Sequence, residues 1–170
     1  NNKLRLIVTS NCNLSCVYCH NEGQPKSVEY LSDELFNHIL GLVATSGKPP
    51  QVVTFSGGEP LLHPQLESFV AAVRQYCSRI TVITNGTLLT EHRLKSLRDA
   101  GVTKIRLGVD SFRRPNSRPS RPFPKDWKAS DTLYMLDSLG MKVELNVVIP
   151  ALILMRYMNS LNSVLREEHR

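Results

Sequence analysis

Apolar positions along this chain alternate between two rhythms. Short runs rich in β-branched residues read as strands at Leu4 to Thr9, Val52 to Phe55, Ile80 to Thr84, Lys104 to Asp110 and Met141 to Ile149. Between them, apolar residues recur at helical spacing. Ser32 and Asp33 cap a predicted helix that runs to about Thr45, with Leu35, Ile39, Leu42 and Val43 on its apolar face. Pro64 opens a second helix carrying Leu66, Phe69, Val70 and Val73 on one face. A third spans Thr90 to Ala100 and stops at Gly101, and a fourth spans Trp127 to Leu139 and ends at Gly140. Leu154, Met158, Leu161 and Leu165 suit a fifth.

Strand and helix in regular turn predict an α/β chain with a parallel sheet and helices outside it. Five such units cannot close an eight-stranded barrel. They leave a partial barrel or an open doubly wound sheet. With 170 residues, 41% of them hydrophobic, there is material for one packed domain over residues 1–170 and too little for two ordinary ones.

Charge and termini change this picture little. Lys and Arg exceed Asp and Glu by 21 to 15, and the resulting +6 favours anionic partners without naming one. No apolar run approaches the ~20 residues needed to span a bilayer, so no membrane partner is expected. No charged-then-apolar leader opens the chain, so no secretory signal is expected. The start at Asn1 and Asn2 lacks an initiator Met and reads as part of a longer protein.

Cysteine usage changes it decisively. Of the four Cys, three crowd together at Cys12, Cys16 and Cys19, while Cys77 sits alone in a helical pattern as a buried small hydrophobe. A disulfide framework would spread them out, so metal binding is the better reading. Thiolates suit both iron–sulfur clusters and zinc. Three thiolates can hold three corners of a cubane and leave one iron open, since a full set needs four. The other reading is a zinc-stabilised, non-enzymatic module using three Cys and His20, although adjacent Cys19 and His20 cannot easily reach one ion.

Gly57, Gly58, Glu59 and Pro60 follow the second strand. Glycine lets a ligand approach the backbone, and a carboxylate beside it can accept hydrogen bonds from an ammonium group. Taken alone, the four residues are a tight turn. Asn85 and Gly86 after the third strand are likewise a turn when taken alone. On the fifth strand Asn146 and Glu144 share a face, because strand side chains alternate. Asn146 could equally be a buried structural Asn. Every one of these positions falls at or just beyond a strand's C-terminal end, where parallel barrels build their active sites.

Together the motifs resemble a known family. NCNLSCVYC is similar to the radical S-adenosylmethionine signature, with Tyr18 in the aromatic place before the last Cys. SGGEPLLHP is close to that family's second motif. Ile83-Thr84-Asn85-Gly86 resembles its third-strand TNG. Leu107-Gly108-Val109-Asp110-Ser111 resembles its Ser-Leu-Asp segment, with Gly108 where Ser is expected.

The resemblance implies a partial (βα)6-type TIM barrel, apparently cut short after the fifth unit, because no sixth strand is found. It implies a 4Fe-4S cluster on Cys12, Cys16 and Cys19, with S-adenosylmethionine chelating the open iron. It places Gly57, Gly58 and Glu59 at the methionyl amine, Tyr18 near adenine, and Asn85, Asp110 and Asn146 around the cofactor. It implies an oxidoreductase or maturase acting on a small-molecule or peptide substrate, fed by an electron donor such as flavodoxin or ferredoxin. An oxygen-sensitive cluster fits a reducing cytoplasm. A degenerate relative that keeps the cluster but not turnover is also compatible with Gly108 and the missing strand.

Within the family the chain resembles the GTP cyclase branch of molybdenum-cofactor synthesis. Arg5 keeps a GTP-contacting position of those cyclases, but Thr54 replaces an Arg, Ile83 a Thr and Glu144 a Lys. The last change puts a carboxylate where a cation would meet phosphate, which argues against GTP as substrate. The second, C-terminal cluster of those cyclases has no Cys here to build it. Glu144 and Arg106 are candidates for substrate contact by strand face.

The segment Ser111 to Lys128, with Arg113, Arg114, Arg118, Arg121, Lys125, Lys128 and four Pro, is either a solvated loop or a grip on an anionic substrate. Its scarcity of aromatics for stacking bases argues against nucleic acid.

Overall fold

The computed structural model describes residues 2–16, 19, 28–109 and 124–147. Among these residues five strands lie in one sheet: β1 Lys3–Thr9, β2 Val52–Gly57, β3 Ile80–Thr84, β4 Lys104–Gly108 and β5 Lys142–Asn146. Four helices of the described residues alternate with them: α1 Asp33–Thr45, α2 Leu66–Arg74, α3 Glu91–Ala100 and α4 Ala129–Ser138. Every described strand pair is parallel and the order is β1-β2-β3-β4-β5. A doubly wound sheet reverses its strand order partway. Among the described residues this one does not, so they build successive units of a barrel wall.

The register sorts the two faces. Leu6 pairs with Phe55, Val53 with Ile80, and Val82 with Ile105. These side chains are buried, as are Leu66, Phe69, Val70 and Val73 of α2 and Leu94 and Leu97 of α3, and together they form one core beneath the helices. Each large apolar side chain buried there contributes about 1.5–3 kcal/mol. The opposite, concave face carries Arg5, Thr54, Thr81 and Lys104 in one row, with Ile83, Arg106 and Glu144 in register in the next.

Local chemistry sets the helix ends. Ser32 caps α1 by accepting the Leu35 amide, and Thr90 caps α3 by accepting that of Arg93. Gly101 closes α3 with a left-handed φ of 118°, open to glycine at little cost.

Several sequence expectations shift. The buried face of α1 is Phe36, flanked by the partly buried Ile39 and Leu40, and Phe36 stacks on Phe69 with centroids 3.8 Å apart. Leu35 and Leu42 are instead exposed. The helical pattern admitted a face rotated by one residue, and contact with α2 decides it. A 3-10 turn at Pro60–Leu62 precedes α2, which starts at Leu66 rather than Pro64. The fourth helix starts at Ala129 rather than Trp127, whose indole N–H donates to the Gly86 carbonyl at 3.2 Å. The fifth strand spans Lys142–Asn146; its expected end and the helix from Leu154 fall outside the described residues. No helix among the described residues is long and apolar enough to cross a membrane.

Candidate active site

The open C-terminal end of the sheet carries three loops that interlock. The first leaves β1 and carries the cysteines. Its entry lies directly on the two glycines that end β2: the Gly58 amide donates to the Thr9 carbonyl and the Glu59 amide to the Asn11 carbonyl, each at 2.8 Å. A Cβ on Gly57 would overlap the Thr9 carbonyl oxygen, and one on Gly58 would overlap that of Asn11. The pair of glycines is therefore required by the close passage of another backbone. Gly58→Ala is expected to cost about 1–3 kcal/mol through overpacking against main chain, read by urea denaturation. It should also lower the iron retained per chain, because the loop that must move bears Cys12.

Glu59 is wholly buried. Its Oε1 accepts from the Leu61 amide at 3.0 Å and the Thr84 hydroxyl at 2.8 Å, and its Oε2 from the Asn85 amide at 2.8 Å. The carboxylate that the sequence offered to an ammonium group thus ties the end of β2 to the end of β3. A buried charge is tolerable only with such a set of donors.

Asn85 carries the link onward. Its side-chain NH2 donates to Asn13 Oδ1 at 2.9 Å, and its Oδ1 accepts from the Thr87 amide and hydroxyl. Asn13 in turn donates to the Thr87 hydroxyl at 2.8 Å. Asn13, Thr84 and Thr87 were not singled out by sequence reasoning. Thr84 was within reach as part of the TNG segment, but Asn13 carries no signal beyond its place among the cysteines.

The returning limb of the cysteine loop is braced as well. Thr9 Oγ1 and the Ser10 amide both donate to the Glu29 carbonyl, and the Leu31 amide donates to Val8. Buried His63 joins this limb to α2: its Nδ1 accepts the Gln65 amide, which leaves Nε2 to donate to the Leu31 carbonyl at 3.1 Å.

None of the three cysteines of the loop is in a disulfide, each is of intermediate exposure, and Cys77 is buried as expected. The Cys19 amide donates to the Cys16 carbonyl at 3.1 Å and so links two of the three. Among the described residues no three Cys, His, Asp or Glu stand together at metal-holding spacing, so the loop supplies the donor set without a closed cage. In type and number, three cysteine thiols outside any disulfide on one braced loop fit three corners of a cubane cluster.

Burial pushes the Cys12 thiol above its ordinary value. The Leu14 amide and the Asn85 side chain oppose this by hydrogen bonding, while the charges of Glu59 and Cys19 add to the rise. The thiolate is the reactive form. Cys12 in the metal-free protein should therefore react more slowly with iodoacetamide at neutral pH than a free thiol does, and catch up as the pH climbs past the ordinary thiol value of 9.0. Peptide mass mapping against pH checks this; equal neutral-pH rates would contradict it.

At the far edge, Asn146 ends β5 with an exposed side chain, and its carbonyl accepts the Val109 amide at 3.0 Å. The structure leaves it at the rim without drawing it to Asn85. Arg5 lies on the concave face and donates Nε–H to Ser56 Oγ at 2.9 Å. Tyr18, Asp110 and the basic segment through residue 123 lie outside the described residues.

A family model described as the Radical SAM superfamily matches residues 6–158. A probable GTP 3′,8-cyclase of Methanocella arvoryzae is 37% identical over 111 residues, covering 65% of this chain and 35% of the relative. A GTP 3′,8-cyclase of Chlorobaculum tepidum is 34% identical, covering 82% of this chain and 43% of the relative. The chain thus spans well under half the length of these curated relatives. Among solved structures, BtrN in complex with AdoMet and 2-DOIA superposes with a TM-score of 0.61 at 23% identity, over 86% of this chain and 56% of that one. Native anSMEcpe with bound AdoMet and Cp18Cys peptide gives a TM-score of 0.71 at 19% identity, over 98% of this chain and 48% of that one.

Proposed function

This chain belongs to the Radical SAM superfamily, and on that premise we propose that it is the core of an enzyme that reductively cleaves S-adenosylmethionine and removes a hydrogen atom from a small-molecule or peptide substrate. The observation that supports this most is the seating of the cysteine loop: Thr9 to Asn11 rest on Gly57 and Gly58, and Asn13 is bound by Asn85. Three motifs distant in sequence meet at one end of the sheet, and two of them brace the third, the loop that bears the thiols.

Cys12, Cys16 and Cys19 would hold a 4Fe-4S cluster. Gly57, Gly58 and Glu59 would border the methionyl amine, with Tyr18 toward adenine and Asn85, Asp110 and Asn146 around the cofactor. Held there, the cluster would supply the single electron for reductive cleavage of the C–S bond of S-adenosylmethionine. The chain's own contribution is placement. Glu59 fixes the β2 and β3 ends relative to each other, Asn85 fixes the loop to β3, and the helix-covered sheet excludes water from one side. A single-electron donor such as flavodoxin or ferredoxin would serve it in a reducing cytoplasm.

A second reading, GTP cyclisation, is favoured by the relatives' names and by Arg5. It is opposed by Glu144, whose carboxylate already holds Lys104 and Arg106. Anaerobic reconstitution with iron and sulfide, followed by reduction with S-adenosylmethionine present, tests the main reading. Formation of 5′-deoxyadenosine is expected. A colourless zinc-loaded protein that forms none would overturn it, and 3′,8-cyclised product from added GTP would establish the second reading.

A further inference from the structure

We propose that Arg106, positioned by Glu144, receives an oxyanion of the substrate, a carboxylate or a phosphate. The inference rests on the reading that substrate is taken on the concave face of the sheet. Arg106 and Glu144 are register partners on β4 and β5. They stand on the face opposite the buried Ile105 and Leu107, one step below the open end at Gly108 and Asn146. Glu144 Oε1 lies 2.7 Å from Arg106 Nε, and Oε2 lies 2.6 Å from Lys104 Nζ. Both carboxylate oxygens are thereby committed, so Glu144 is poorly placed to bind a substrate ammonium.

Arg106 is only partly committed. Its Nε is buried, and the approach to Glu144 is an ion pair off the N–H axis rather than a straight hydrogen bond. No described residue accepts from its terminal nitrogens. A guanidinium held at one edge presents the other as a fork that matches a carboxylate or phosphate oxygen pair. The next residue outward on the same face of β4 is Gly108, so no side chain of that strand stands between the fork and the rim. The surrounding charge has the same sense. Arg5, Lys104, Arg106 and Lys142 share the face with one carboxylate, Glu144, which leaves it strongly positive toward an incoming anion.

The test is calorimetric titration of the cluster-loaded protein, with S-adenosylmethionine present, using succinate in one arm and inorganic phosphate in the other. At least one should bind, and which one does identifies the oxyanion. Arg106→Ala and Arg106→Lys should each weaken that binding about tenfold or more, the worth of a charge-assisted pair of hydrogen bonds. Arg106→Lys keeps the charge and loses only the fork. Lys142→Ala, on the same face but outside the ion-pair cluster, should change binding less than about twofold. Failure of both anions to bind the wild type, equal binding by Arg106→Ala, or an equal loss in Lys142→Ala would overturn the proposal. 5′-Deoxyadenosine formation is followed in parallel for each variant. Its absence in the wild type counts against the radical reading, and the anion titration is judged separately.

Discussion

Alanine at Cys12, Cys16 or Cys19, one at a time, is expected to bring 5′-deoxyadenosine formation to background while leaving the fold intact. The physical ground is asymmetric. All three thiols are only partly buried and none is in a disulfide, so truncation removes little packing. A cubane held at three corners, by contrast, has no spare protein ligand. Iron and sulfide per chain, and the electron paramagnetic resonance signal of the reduced protein, should fall with activity. Cys77 is the control. It is buried at 4% exposure and its thiol contacts the Arg79 carbonyl at 3.4 Å. Cys77→Ala should keep the cluster and lose about 1 kcal/mol through the small cavity it leaves. Retention of the cluster by Cys16→Ala, or its loss in Cys77→Ala, would dislodge the assigned ligand set.

The strands and the ends of α3 were legible in the sequence because their causes are local. A run such as Ile80 to Thr84 buries its apolar side chains in a sheet layer wherever it sits, and Thr90 and Gly101 cap whatever helix lies between them. The face of α1 was not legible, because Leu35 and Phe36 both satisfy helical spacing and only the ring of Phe69 on another helix selects between them. The same division runs through the candidate site. The three cysteines and the paired glycines announce themselves by spacing. What the glycines accommodate, the backbone of Thr9 and Asn11, is some fifty residues away and invisible until the strands pair. Glu144 and Arg106 were visible as two charges on neighbouring strand faces. That they spend their charge partly on each other required the β4–β5 register.

Glu59 is where sequence and structure diverge most in consequence, and Glu59→Ala is the substitution expected to cost the fold most. Its carboxylate accepts from Thr84, Leu61 and Asn85 in a site closed to water. Truncation strands two amides and a hydroxyl. With about 1–3 kcal/mol for each buried group left unsatisfied, partly relieved by relaxation, the total is roughly 3–5 kcal/mol. That is a large fraction of a small domain's stability, and it should show as a marked drop in the urea midpoint. Glu59→Gln separates the causes. An amide oxygen can still accept two of the three donors, but its NH2 must then face an N–H or O–H that wants an acceptor. An intermediate loss is expected, with the β3 turn loosened and Asn85 freed from its role as anchor of the cysteine loop. If Glu59 serves mainly as this internal tie, Glu59→Gln should lose cluster retention and S-adenosylmethionine affinity together. Were its charge needed chiefly for the methionyl ammonium, Glu59→Gln would keep wild-type stability and cluster content and weaken only S-adenosylmethionine binding, and the structural account of Glu59 would fail.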